Sequence, residues 1–535
     1  MSAVLEATAL APPPRPAAPP SPQAPPLDAR RLFGFFAMVL GMFMAILDIQ
    51  IVSASIGDIQ AGLAASPDEA SWVQTSYLIA EIVMIPLSGF LSRLLSTRVL
   101  FTLSAAGFTV FSLACAFATS LPAMIAARAM QGFLGGAMIP TVFATTYLLF
   151  PPARRAGATV LIGLTATLAP TIGPTLGGLL TDALSWHWLF LINVPVGIFI
   201  AVSVWSVMDI DRPTPGLLAR FDWWGLAFMA GFLGSLEYVL EEGPRWDWLD
   251  DPTIAGFATL CAVCGALFLW RAFAAREPIV ELRAYRDRNF AVGSLFSFLL
   301  GIALYGSVYL IPLFLGRVRG YDALQIGHVM FVTGVGMFLA APVVGRLTAK
   351  LDLRLMVGIG MALTGVAVFW TGHFTSQSAL PELWAPLALR GFAMMFVMIP
   401  VNQLALGTLP PEKLKNASGL YNLMRNLGGA FGLALINTLV TDRSAAHRLH
   451  LAEGVSSGRS SAQAALDNMS LALSSRLGEA ADLAALRRVV SLVTREALVL
   501  AYNDALMVIA ALFFLALPLT LLMGRVKQGG GGGAH

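Results

Sequence analysis

Apolar residues run in blocks of about 20 from Leu32 to Met523, broken by short polar or proline-bearing stretches. At 1.5 Å of rise per residue, one such block crosses a ~30 Å hydrocarbon core as a helix. The blocks are continuous rather than alternating, which predicts helical spans and not barrel strands. Fourteen spans follow: 33–56, 72–94, 98–118, 122–148, 156–180, 186–207, 221–241, 252–271, 289–312, 325–346, 354–373, 383–408, 414–440 and 498–523. The segment 441–497 is too polar to span, and its apolar spacing in "SSAQAALDNMSLALSSRLGEAADLAALRRVVSLV" predicts short amphipathic helices.

The polar breaks fix an orientation. With a cytoplasmic N-terminus, the inner segments hold 21 Lys and Arg, while the short outer loops hold 3, namely Arg245, Arg317 and Arg319. That bias predicts both termini in the cytoplasm. The long outer loop 441–497 holds 7 more and is exempt from the rule, and the three arginines then left over are all intramembrane: Arg128, Arg390 and Arg425.

An internal duplication is also legible. "GFLSRLLSTR" from Gly89 and "GRLTAKLDLR" from Gly345 align at one offset, and Arg128, Ile139-Pro140 and Pro151-Pro152 are echoed by Arg390, Ile399-Pro400 and Pro410-Pro411. Each echo falls on the corresponding helix of a six-helix unit with the same direction, as in parallel repeats. The expected organisation is a disordered cytoplasmic tail (1–32), a six-helix bundle (33–207), a two-helix insert with its cytoplasmic linker (208–288), a second six-helix bundle (289–523) carrying the outer loop 441–497, and a flexible tail (524–535).

Composition changes little in this picture but removes alternatives. Charged residues are only 12% of the chain against about 25% in soluble domains. The net charge of +3 is scattered over short loops and predicts no nucleic-acid surface. Cys261 and Cys264 form a CxxC inside lipid-embedded sequence, where they read as small apolar side chains. There is no phosphate-binding loop, zinc-ligand cluster or nucleophile–base constellation, so neither an enzyme nor an ATP-driven pump is expected, and no metal or other cofactor.

Five stretches carry a resemblance: "LDIQIVSASIGDIQ" (47–60), "GFLSRLLSTR" (89–98), "RAMQGFLGGAMIP" (128–140), "GLTATLAPTIGPTLGG" (163–178) and "WHWLFLINVPVGI" (186–198). Together they resemble the major facilitator superfamily, and within it the fourteen-helix drug:proton antiporters of the EmrB/QacA-like branch. The likeness covers roughly residues 33–523. It implies an all-α fold of two six-helix bundles plus a two-helix insert. It also implies a loop motif at Gly89 and Arg98, and an antiporter motif at Gly163, Gly173, Pro174, Gly177 and Gly178 that seals against leak. Where the superfamily's loop motif usually carries an Asp, this chain has Arg93, which puts the loop's charge-relay role in doubt. The residues give the antiporter motif a mechanical reading of their own. Gly173, Gly177 and Gly178 share one side of a helix and admit a neighbouring backbone, while Pro174 bends it.

Counting 1.5 Å per residue from the expected outer ends puts Asp48, Glu81, Arg128 and Arg390 at similar depth, ~9–13 Å. Each would cost about 2.5–3.5 kcal/mol at a helix centre, so each is expected to face a water-filled cavity and to pair. Asp48 and Glu81 are the expected proton carriers, with Arg128 the neighbouring cation. Burial and a nearby guanidinium pull a carboxylate's proton affinity in opposite directions. Arg390, Asn402, Gln403, Arg425 and Glu237 are further candidates for the substrate cavity.

The expected activity is proton-coupled export of lipophilic and amphipathic compounds across the bacterial inner membrane by alternating access, powered by the proton gradient. A proton-coupled uptake symporter of the same fold is the alternative. A membrane sensor is disfavoured because no inner segment is large enough for a signalling domain. The outer loop 441–497 is similar to loops found in antiporters of this branch that dock a periplasmic adaptor protein and feed an outer-membrane channel, and a solvated cap with no partner is the alternative.

Overall fold

The computed structural model describes residues 28–275, 277–348, 350–455 and 459–524. Most of the two expected tails, 1–27 and 525–535, lies outside the described residues. Within the described residues there are helices and no strands. Thirteen helices are long and apolar enough to cross a membrane, and a bent pair within Gly157–Ala183 raises the number to 14. The chain is thus a multi-pass membrane protein, as the apolar blocks predict.

The first six spans are α1 (Ala29–Ala54), α2 (Trp72–Leu95), α3 (Thr97–Ala116), α4 (Leu121–Leu149, interrupted at 136–137), α5 (Pro152–Ala183) and α6 (Asn193–Val207). Then come α7 (Trp223–Glu242) and α8 (Pro252–Ala274). The rest are α9 (Arg288–Arg319), α10 (Ala323–Leu347), α11 (Leu353–Thr371), α12 (Leu380–Leu406), α13 (Pro411–Gly454), α14 (Ser460–Leu477) and α15 (Ala481–Ala516).

α5 is bent by 42° between Pro170 and Ile172, where Pro170 and Pro174 each lack a backbone donor. Its glycines explain how closely it lies on α1. A Cβ on Gly173 would come within 2.5 Å of Gln50 Cβ, and one on Gly177 within 2.9 Å of the Ile51 carbonyl. Gly163 faces away, toward Met395 and Met398 of α12, and Gly178 is half-buried.

Among the first six helices α1 packs on α5 and α6, α2 on α4, and α3 on α4 and α6. Among the last, α9 packs on α13, α10 and α11 on α12, and α15 on α11 and α13. The two sets meet along α5–α10 and α2–α13. α7 pairs with α8 and touches a helix from each set. Trp72 of α2 stacks on Tyr238 of α7 at 5.4 Å, and Trp248, just after α7, donates to Thr438 Oγ1 of α13 at 3.1 Å.

The segment 441–497 differs from expectation. α13 runs 14 residues past the expected end at 440, because nothing from Thr441 to Glu453 breaks a helix before Gly454. Asp504 of α15 holds that extension through His447 (2.8 Å) and Arg443 (3.4 Å). α14 and the start of α15 then pair as a helical hairpin in place of several short helices.

Candidate functional site

Three groups of charged and polar side chains stand out. The first is a closed network. Arg128 Nη1 donates to Asp48 Oδ2 at 2.5 Å and to Gln131 Oε1 at 2.8 Å, and its Nε donates to the Val73 carbonyl at 3.1 Å. Asp48 Oδ1 accepts from Asn193 Nδ2 at 2.7 Å and from Gln131 Nε2 at 3.1 Å. The Tyr77 ring lies 4.3 Å from the guanidinium, whose Nη2 has no hydrogen-bond partner. Asp48 and Arg128 are both fully buried. Sequence position brings Arg128 and Gln131 to one face of α4, three residues apart.

The second group surrounds a cavity of about 500 Å³ between the two helix sets, a volume typical of small-molecule sites. It runs from Met42 and Asn422 in mid-helix to Ser53, Ser71 and Glu241 at the ends of α1, α2 and α7. Arg425 lines it, held over the rings of Phe143 (4.7 Å) and Tyr421 (5.3 Å), with Nη2 unpartnered. Asn422 and Asn426, one turn apart on α13, line the cavity beside Arg425. A side lobe of about 80 Å³ is lined by Glu81, Glu237 and Glu241, and shares Gln50, Gln74 and Tyr305 with the main cavity.

The third group seals the opposite end, where α2 joins α3. Gly89 lies so close to α13 that a Cβ would stand 2.8 Å from Asn416 Cα. Ser418 Oγ donates to the Pro140 carbonyl at 2.6 Å. Lys415 Nζ donates to the Ser92 carbonyl at 2.8 Å and is ion-paired with Asp211. Asp211 in turn accepts from the Thr97 amide at 3.0 Å, at the N-terminus of α3, where the helix dipole favours an anion. The loop that carries Arg93 in place of an acid therefore borrows its carboxylate from the chain after α6. Arg98 stacks on Trp205, 5.1 Å from the ring.

These placements separate the sequence candidates. Asp48 and Arg128 pair as expected, yet they sit inside the first helix set and not on the cavity wall. Glu81, Glu237 and Arg425 do line the cavities. Arg390, Asn402 and Gln403 do not. Arg390 donates to Thr333 Oγ1 of α10 at 3.0 Å, and buried Asn402 has no partner on either side-chain polar atom. Residue counting gives depth and says nothing of which way a helix turns each side chain. The sequence reading does not pick out Glu241, Gln131 or Asn426, although Glu241 stands four residues from Glu237 and Gln131 three from Arg128 on the same helix face, and Asn426 follows Arg425 directly. No cluster of three or more metal-ligating side chains occurs among the described residues.

If Lys415 and Asp211 latch this end, Lys415→Ala should loosen it. A partly exposed ion pair contributes at most about 1 kcal/mol, or roughly fivefold in the open–closed equilibrium. The expected result is a several-fold faster reaction of a maleimide with Ser88→Cys, in a background lacking the three native cysteines. An unchanged rate would show that backbone contact at Gly89 closes this end alone.

Known proteins bear on this geometry. The family described as Major Facilitator Superfamily matches residues 38–433. The colistin resistance protein EmrB of Acinetobacter baumannii is 44% identical over 92% of this chain and 96% of its own length. The multidrug export protein EmrB of Escherichia coli K12 is 31% identical over 93% and 97%. The fatty acid resistance protein FarB of Neisseria gonorrhoeae is 29% identical over 92% and 96%. Among solved structures, the human organic anion transporter MFSD10 (TETRAN) aligns over 92% of this chain and 100% of its own, with a TM-score of 0.58 at 15% identity. A bacterial homologue of the human lysosomal transporter Spinster, inward-facing and unoccupied, covers 94% and 100% with a TM-score of 0.52 at 15% identity, a likeness of fold alone. With helices throughout, a cavity between two helix sets and the family match over most of its length, the chain belongs to the major facilitator superfamily.

Proposed function

We propose that the chain is a multidrug efflux transporter, a drug:proton antiporter that exports lipophilic and amphipathic compounds by alternating access. The carrying observation is the cavity of about 500 Å³ between the two helix sets, reaching one end of the helices and sealed at the other by Lys415, Asp211 and Gly89. A multidrug export protein and a colistin resistance protein among the relatives support this reading.

The excess of basic residues orients the sealed end toward the cytoplasm, so the cavity faces outward from the inner membrane. Residues 33–207 and 289–523 are the two bodies that rock, with 208–288 inserted between them. Glu81, at the lobe wall, exchanges the proton, and the Asp48–Arg128 pair behind it fixes the local field. The antiporter motif of Gly173, Pro174, Gly177 and Gly178 holds α5 against α1 so that no leak opens between them. Arg425 and Glu237 give the cavity polar anchors among apolar walls. The proton gradient supplies the energy, and no cofactor is needed. The outer hairpin of α14 and α15, with the α13 extension, is the docking surface for a periplasmic adaptor protein that leads to an outer-membrane channel.

The test is dye accumulation in cells with and without the gene, in acidic and alkaline medium. Expression should lower accumulation of a lipophilic dye several-fold, and more strongly in acid, where inward proton flow is steeper. Raised accumulation would mean uptake and would overturn the reading.

A further inference from the structure

The side lobe is more than an annex of the cavity. Its wall carries three carboxylates, Glu81 from α2 with Glu237 and Glu241 from α7, and no lysine, arginine or histidine. Glu237 is 95% buried, since its exposure is 5%, and its Oε2 has no hydrogen-bond partner. Glu237 and Glu241 stand four residues apart, so α7 presents both to the same side.

α7 is held firmly where it does this. Gly234 lies against Ile79, Thr75 Oγ1 donates to Glu242 Oε1 at 3.4 Å, and the Trp72–Tyr238 stack and the Trp248–Thr438 bond tie its outer end to both helix sets. The insert therefore supplies a fixed wall and two of the three acids. A buried carboxylate oxygen without a donor is costly unless something fills the need. An ammonium head, with three donors and one positive charge, meets it.

We propose that the α7 insert builds a cation subsite, in which Glu237 and Glu241 opposite Glu81 receive the primary ammonium head of an amphipathic substrate. At about 80 Å³ the lobe takes the head and excludes the body, which lies in the adjoining space of about 500 Å³. Tyr305 and Asn426, joined by a 3.3 Å hydrogen bond, stand where the two spaces meet and select for a slender link between head and body. The physiological meaning rests on the exporter reading, but the binding chemistry stands independently of it.

The probes are a fluorescent long-chain primary amine and its N-acetyl amide, which share a body and differ in the charged head. Binding to the purified full-length protein is read by fluorescence anisotropy, and the measured quantity is the ratio of the two affinities. Wild-type protein should prefer the amine by about tenfold or more, the least that a desolvated charge pair contributes across an interface. Glu237→Gln and Glu241→Gln should each bring the ratio toward one, and Glu237→Asp should keep part of the preference. Glu241 is only half-buried, so its variant reads the subsite with little demand on folding. Equal affinities in the wild type, or a preference that survives both glutamine variants, would overturn the proposal. Uptake of the amide into energised inverted vesicles, run beside it, reports on the exporter reading by itself. A preference in binding without any transport would sink that reading and leave the subsite standing.

Discussion

Asp48→Asn is expected to destabilise the purified protein by about 3–5 kcal/mol, the cost of leaving a buried guanidinium without its carboxylate. The loss should appear as a large drop in melting temperature in detergent. Among the described residues Asp48 is the acid paired with Arg128, and the pair is shut off from both cavities. Buried ion pairs can often be replaced by apolar residues of similar volume at little cost. Asp48→Leu combined with Arg128→Met should therefore recover much of what either single change loses. A single variant that melts like the wild type would mean that the two charges are not locked together. Read from the sequence alone, Asp48→Asn should stop transport and leave the protein in the membrane. The geometry adds a stability cost to that expectation.

Glu81→Gln should behave differently. Glu81 lies outside the Asp48 network and lines the lobe, at 3% exposure. Glutamine keeps its size and cannot carry a proton. Export driven by a pH gradient should fall to the level of protein-free vesicles, while the melting temperature stays near that of the wild type. Exchange of an uncharged substrate across vesicles at equal pH should persist, because exchange needs the conformational cycle without net proton movement. Gradient-driven export at the wild-type rate would remove Glu81 from the mechanism. Loss of exchange together with export would point to a damaged cavity.

The sequence carried the span count well, since apolar block length and bilayer thickness leave few choices. Helical rise lets the sequence assign the charged residues a depth by counting. The sequence did not carry their direction. Asp48 and Glu81 come out at nearly equal depth by counting, yet one is enclosed by Gln131 and Asn193 and the other lines a cavity. For Arg390, at the same depth again, the facing residue is Thr333 of α10. Facing is set by packing against neighbouring helices, which no single span encodes.

The seal shows the same limit at longer range. Arg93 breaks the loop motif locally, and nothing near it in sequence restores an acid. Asp211 does so from more than a hundred residues away, by capping α3 and pairing with Lys415. The α13 extension failed to show for a different reason. The change from apolar to polar at residue 440 marks the membrane surface and not the end of the helix, which continues until Gly454.

The central claim is that substrate movement and proton movement are one process. Proteoliposomes holding the protein and an imposed pH gradient, with a pH-sensitive dye inside, test it most directly. Adding a transported lipophilic compound should collapse the gradient faster with wild-type protein, and should leave it unchanged with Glu81→Gln. A compound that crosses through the wild-type protein while the gradient holds would contradict the account.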